Sequence, residues 1–243
     1  MRHFLLPLAL VCVAFATPAH ADTKRFGLTS YDRVEISGDM IVEIAPSSRI
    51  SAVAEGSRVS LETLDMEVRN RVLLISQRSM GAYGPRRASD GPLRISLTAQ
   101  NLGAVDLRGS GQLRVTGLRG REVLVTLHGA GTVEAAVPAG LRVSTRVEGP
   151  GTITLTGRSQ SLIAIVAGSG SVDASGLAVR DLDVRSNGTG TSSFAASGRV
   201  RVIALGAANV TVAGAPRCTV TNSGAGTVEC GVRQRDALPT TGG

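Results

Sequence analysis

Tryptophan is absent from the 243 residues, and aromatic side chains of every kind amount to 2%. A core assembled from large rings is thereby excluded, as is an aromatic platform for stacking bases or sugars. Lysine occurs once, at Lys24, so the formal charge of +7 is carried almost wholly by arginine. A basic surface without interleaved aromatics does not read as a nucleic-acid interface, and no nucleic-acid partner is expected. Beyond the first residues no apolar run approaches the length of a membrane-spanning helix, so no transmembrane segment is expected. Histidine and cysteine are scarce at 3 residues each. His128 is the one histidine outside the first 21 residues; it precedes a turn glycine and is expected to face solvent. A Ser/His/Asp hydrolase would need it, yet no Gly-x-Ser-x-Gly elbow occurs, and no catalytic or metal-binding set is expected.

The chain opens with Arg2 and His3, an apolar run from Phe4 to Ala16, and Ala19-His20-Ala21. A short basic start, an apolar stretch and a small-x-small site are the parts of a secretory signal. Residues 1–21 are therefore read as a signal peptide cleaved after Ala21, which places the protein in the periplasm or outside the cell. Cys12 falls inside the apolar run, behind Leu10-Val11, and is not read as a lipid-attachment site.

What the sequence has in abundance is glycine, 30 residues of it, and much of it recurs at a fixed interval. Gly-x-Gly triplets occur at Gly109/Gly111, Gly129/Gly131, Gly149/Gly151, Gly168/Gly170, Gly188/Gly190 and Gly224/Gly226, with Gly206-Ala207-Ala208 as a degenerate copy. The interval is about twenty residues, the signature of stacked structural repeats. Apolar residues alternate on both sides of each triplet, as in Val123, Val125 and Leu127 before Gly129, and Val133 and Ala135 after Gly131. The positions between them, including Asp106, Arg114, Thr126, Arg146, Asp183 and Arg185, are expected to face solvent. Each unit thus reads as strand, glycine turn, strand and a second turn that often holds Gly117, Gly157, Gly176 or Gly214, the glycines supplying positive φ. No triplet opens a helix, which argues against a phosphate-binding loop. The alternation alone fits a coil of parallel rungs or an antiparallel meander.

Residues 22–98 are less regular and read as an N-terminal cap with the first rungs; 99–232 form the repeat proper and 233–243 a disordered tail. Val34-Ile36 and Ile41-Ile44 around Ser37-Gly38-Asp39 read as a hairpin, Ile50–Ala54 as a strand, Arg58–Leu64 as a short helix, and Val68 and Val72–Ile75 as further β structure. Arg78, Arg86 and Arg87 make the loop before Leu93 basic. Leu238-Pro239-Thr240-Thr241-Gly242 matches a sortase signal but lacks the apolar span and basic tail that such a signal requires, so it is read as coincidence.

The serial Gly-Ser-Gly and Gly-Ala-Gly triplets, behind a V-x-I-x-G-x-x-x-V-x-I opening at Val34-Glu35-Ile36-Ser37-Gly38 and Val42-Glu43-Ile44, resemble the GIN domain, an auto-transporter adhesin head domain. The resemblance covers roughly residues 31–231. It implies a right-handed parallel β-helix, that is, a β-solenoid, and it implies no enzymatic activity and no set of binding residues. The chain departs from the pattern at Pro150 and at Ala208, where the neighbouring Asn209 is expected to take over the positive φ.

Three groups of residues are candidates for more than scaffolding. Cys218 and Cys230 flank the last triplet symmetrically and are read as a disulfide closing the final rung, the alternative being two buried thiols. Ile163, Ile165, Ile203 and Leu205 fall on outward positions and are candidates for an interaction surface or for cover by a loop. Asp181 and Asp183 share an outer face, with Asp173 near in sequence, and are the pair a β-helical polysaccharide-cleaving enzyme would use. The reading that follows is an exported, non-catalytic β-solenoid, an adhesin-like binding or structural protein of the cell envelope without cofactor or metal. Its partner is not named by the sequence, with envelope glycans or copies of itself as the candidates. A polysaccharide-active enzyme and a self-associating structural protein are the alternatives.

Overall fold

Alternating aliphatic and polar residues condense into strands because the pleat sends successive side chains to opposite faces. A computed structural model describes residues 22–78 and 92–232. In chain order it contains β1 (Asp22–Phe26), β2 (Arg33–Ser37), β3 (Ile41–Pro46), β4 (Ser51–Gly56), α1 (Arg58–Thr63), β5 (Leu64–Arg69), β6 (Val72–Gln77), β7 (Arg94–Ala99), β8 (Ala104–Arg108), β9 (Gln112–Val115), β10 (Glu122–His128), β11 (Thr132–Glu148), β12 (Thr152–Gly168), β13 (Ser171–Gly188), β14 (Thr191–Ala196), β15 (Arg199–Ala204), β16 (Asn209–Gly214), β17 (Arg217–Asn222) and β18 (Val228–Val232). Residues 1–21, read above as a signal peptide, the loop arginines Arg86 and Arg87, and the tail with its Leu238–Gly242 motif lie outside the described residues.

The strands build two walls of a solenoid, and within each wall stacked neighbours run parallel, so the meander is excluded. One wall stacks β6, β2, β8, β10, the second halves of β11, β12 and β13, then β15 and β17. The other stacks β7, β3, β9, the first halves of β11, β12 and β13, then β14, β16 and β18. The Gly-x-Gly triplets form one corner between the walls, while β11, β12 and β13 run unbroken around the opposite corner. Between the walls lies a narrow core of valine, leucine, isoleucine and alanine, with Val123, Val125 and Leu127 fully buried in β10. Phe194 is the largest of the fully buried side chains.

Two N-terminal features differ from the sequence reading. First, β2 and β3 are not a hairpin: each pairs in parallel with strands of other rungs, β2 with β6 and β8, β3 with β7 and β9. Ser37-Gly38-Asp39 is a solenoid corner, whose local turn chemistry is the same as a hairpin's. Second, the stacking order departs from chain order. The β2–β3 rung is sandwiched between β6–β7 and β8–β9, and residues 100–103 carry the chain past it. Tyr31 pins this arrangement; it is buried, and its hydroxyl donates to the Thr98 carbonyl oxygen at 2.9 Å. Burial pushes its phenol pKa up to about 12.

Beyond β6 and β7 the stack is closed by antiparallel strands, β5 on β6, β4 on β7 and β1 on β4. These cover an edge whose N–H and C=O groups would otherwise be open to pairing with another chain. At the other end β17 and β18 have a ladder partner on one side only, among the described residues. Cys218, Val220 and Asn222 occupy inward columns there, yet every residue of β17 is exposed, because no further rung covers them. Thr126 deviates in the opposite sense. It lies on an outward column but is buried between Asp106 and Arg146 of the rungs on either side.

Candidate binding face

The glycine corner is a scaffold, and close approach of successive rungs explains it better than backbone dihedrals do. Gly38, Gly109, Gly129, Gly149 and Gly168 have positive φ, whereas Gly188, Gly206 and Gly224 do not. What the ladder shares is proximity. A Cβ on Gly129 would lie 2.5 Å from the Gly109 carbonyl oxygen, and one on Gly131 or Gly151 would lie 2.6 Å from the carbonyl oxygen of Gly111 or Gly131. Gly170 meets the carbonyls of Gly149 and Gly151 in the same way, while Gly188, Gly190, Gly206, Gly224 and Gly226 press still harder on the rung before them. Several corner N–H groups are spent between rungs, Gly109 N–H on the His128 carbonyl (2.8 Å) and Gly131 N–H on the Gly109 carbonyl (2.9 Å). Pro150 fits because it sits at an exposed middle position, and the equivalent Ser110 and Ala130 donate no inter-rung backbone bond. At the degenerate copy Ala208 is buried and Asn209 does not take positive φ. Instead the Asn209 side-chain oxygen accepts from the backbone N–H and the hydroxyl of Thr227, at 3.0 and 2.8 Å, and so clips that corner to the next rung.

Cys218 of β17 and Cys230 of β18 are joined by a disulfide, with Cα atoms 6.4 Å apart. The bridge links the two walls in the rung that has only one neighbour. Closing a loop with a sequence separation of 12 restricts the unfolded chain by about 3 kcal/mol. Reduction is therefore expected to loosen this end first. Amide hydrogen exchange should accelerate in β16, β17 and β18 on reduction while β2 and β3 keep their protection.

The outward columns of the first wall carry most of the remaining chemistry. Register aligns Ser161, Asp181, Arg199 and Arg217 in one column, Ile163, Asp183, Arg201 and Thr219 in the next, and Ile165, Arg185, Ile203 and Thr221 in the third. The first two columns, with Thr221 of the third and Arg180, border an open groove of about 1180 Å³. Asp181 receives Arg180 Nε at 3.1 Å and stands 3.6 Å from Arg199 Nε. The Arg199 backbone N–H, desolvation working against it, and the two guanidinium groups hold the Asp181 carboxyl below its usual range. Asp183 pairs with Arg185 at 3.3 Å. Asp173 is not part of this group: it lies on the other wall and accepts from the Ser175 N–H and hydroxyl.

The four apolar candidates do not merge into a patch. Ile163 and Leu205 are exposed, Ile165 and Ile203 half-buried, and Arg185 stands between Ile165 and Ile203 in the ladder. His128 sits apart from the groove, half-buried, with Nδ1 3.0 Å from Glu148 Oε2. Arg146 also reaches that carboxylate, and its hydrogen bond is the main cause holding Glu148 below the ordinary range. Among the described residues no group of histidine, cysteine and carboxylate side chains is arranged to hold a metal ion, and no helix is long and apolar enough to cross a membrane.

The family model described as "Putative auto-transporter adhesin, head GIN domain" matches residues 30–216, most of the chain. The chain belongs to the GIN-domain family. Its solenoid is similar to crystal structures described as putative adhesins from Bacteroides fragilis (15% identity, 86% of this chain and 96% of that one, TM-score 0.74) and Parabacteroides distasonis (17%, 87% and 97%, 0.62). A further Parabacteroides distasonis structure, described as a putative lipid binding protein, is 14% identical over 87% of this chain and 97% of that one, with a TM-score of 0.64. At these identities the likeness establishes the GIN fold. No curated protein matches the sequence. Within this GIN domain the sequence singles out Asp181, Asp183 and the isoleucines but not Arg199, Arg201 or Arg217. Their alignment follows from the 18-residue offset that pairs Arg199 with Arg217, an interval already visible between Gly188, Gly206 and Gly224.

Proposed function

We propose that this GIN domain is an exported, non-catalytic, adhesin-like recognition module of the cell envelope, and that the groove across the second halves of β12 and β13, β15 and β17 is its recognition surface. The observation that carries this reading is the groove itself. Outward charged, hydroxyl and apolar columns are held at a fixed pitch on a rigid wall, the kind of extended surface that solenoids present to partners. The family name and the adhesin descriptions of its structural neighbours agree with it. Export rests on the signal-peptide pattern that ends at Ala21. A non-catalytic role is supported by Asp181 and Asp183, both held by arginines. A glycosidase needs one carboxyl with a raised pKa to act as acid, and Asp181 is shifted the other way.

The test is an array of glycans and envelope fractions probed with the mature chain, followed by analysis of the spotted material for cleavage. Binding without cleavage is the expected result. Cleaved product that disappears with Asp181→Asn and Asp183→Asn would reverse the non-catalytic assignment. A second reading, self-association, is favoured by the one-sided ladders of β17 and β18 and by Val220, which is 43% exposed on an inward column. Light scattering during size exclusion decides it, since a strict monomer removes this reading.

A further inference from the structure

Resting on that reading, the geometry points to an acidic polysaccharide as the ligand of the groove. Arg199 and Arg217 are direct ladder partners on the same outward column. Arg201 lies two residues along β15, hence on the same face. Ladder neighbours are about 4.8 Å apart and alternate residues along a strand about 6.7 Å, so three guanidinium groups are crowded into one corner of the groove. Like charges directly opposite one another in a sheet work against its stability. The local counter-charges are committed elsewhere: Asp181 to Arg180 and the Arg199 backbone, Asp183 to Arg185. Arg201 and Arg217 make no ion pair among the described residues. The side chain of Arg199 is 81% exposed and 3.6 Å from Asp181, so that contact is screened by water and leaves its charge available.

A cluster of uncompensated arginines in a concave site suits planar anions, because the guanidinium fork binds a carboxylate or a sulfate through two hydrogen bonds. Ser161, Thr219 and Thr221 border the same groove and offer neutral partners for sugar hydroxyls. The groove crosses four stacked strands, about 14 Å at the ladder spacing, and is open rather than enclosed. A chain can therefore lie across it while its ends remain outside. Nucleic acid is the poorer fit, since no aromatic side chain lines the groove for a base to stack on. A lipid surface is also poorer, since Ile163 is the single exposed large apolar side chain on the rim.

The experiment measures binding of the mature chain to immobilised alginate, dextran sulfate and neutral dextran, with single-stranded DNA and anionic phospholipid vesicles in parallel. Alginate and dextran sulfate separate carboxylate from sulfate as the anion preferred. We expect at least one acidic polysaccharide to bind, neutral dextran not to, and binding to weaken steeply from about 0.05 to about 0.5 M salt as charges are screened. The double variant Arg201→Gln/Arg217→Gln should bind at least tenfold more weakly while melting no earlier than the parent, since it removes repulsion and no packing. Arg114→Gln, on the other wall and paired there with Glu134, should bind as the parent does. Equal retention of neutral dextran, tighter binding to DNA or vesicles, or undiminished binding by the double variant would overturn the inference. If neutral glycans alone are captured on the array, the acidic ligand fails and the recognition module stands. If nothing on the array or among these probes binds, both fail together.

Discussion

Gly129→Ala is expected to destabilise the solenoid by about 4 kcal/mol, far more than adding one methyl group at a surface corner normally does. Two costs combine. The residue has φ of 116°, which L side chains adopt only with strain. The new Cβ would also sit 2.5 Å from the Gly109 carbonyl oxygen, which accepts the Gly131 N–H, so relief of the clash stretches a corner hydrogen bond. Gly140 and Gly27 separate the two costs. Gly140 has φ of 86° and nothing within 4 Å of where a methyl group would stand, and Gly27 has an ordinary φ with equally open space. Gly140→Ala should therefore cost about 1 kcal/mol for its backbone alone, and Gly27→Ala close to nothing. Urea denaturation of the three variants reads the difference. If Gly129→Ala proves no worse than Gly140→Ala, close rung packing is not what the glycine ladder is for.

The same ladder shows how far the residues alone disclose the fold. Each triplet marks a corner and each alternating flank marks a wall, because the constraint that selects glycine is repeated every rung and leaves a period in the chain. What the period does not disclose is pairing between distant segments. Ser37-Gly38-Asp39 looks the same whether β2 and β3 pair with each other or with β6, β8, β7 and β9. The rungs β6–β7 and β8–β9 that stack on either side decide the question, and nothing local encodes it. The groove stays hidden for a related reason. Asp181 and Asp183 stand out by their two-residue spacing on one strand, whereas Arg199 and Arg217 become neighbours only once the rungs are stacked in register. Asn209 departs from its expected role because tolerance of positive φ is a property of the residue, while its clip to Thr227 is a property of the stack.

Phe194→Ala should be the most damaging truncation in the core, at about 4 kcal/mol, from lost burial together with the cavity left behind. Phe194 is the one phenylalanine in the repeat region and is 1% exposed. Its ladder neighbours are Ala174 on one side and Val212 on the other, so its ring occupies volume that the small alanine leaves unfilled. Neither neighbour can expand to close the gap without breaking its own strand register. Phe194→Leu, which retains most of the volume, should cost about 1 kcal/mol. Because each rung rests mainly on the adjacent ones, the damage should be local. Hydrogen exchange in Phe194→Ala should quicken in β13, β14 and β16 and across the solenoid to β15, yet leave β2, β3 and β8 close to the parent. The second half of β13 and β15 also carry Asp181, Asp183, Arg199 and Arg201, so loss of polysaccharide binding should follow the loosening of these rungs. If instead exchange accelerates equally in β2 and β3, the solenoid unfolds as one cooperative body, and the view of it as a stack of nearest-neighbour rungs is wrong.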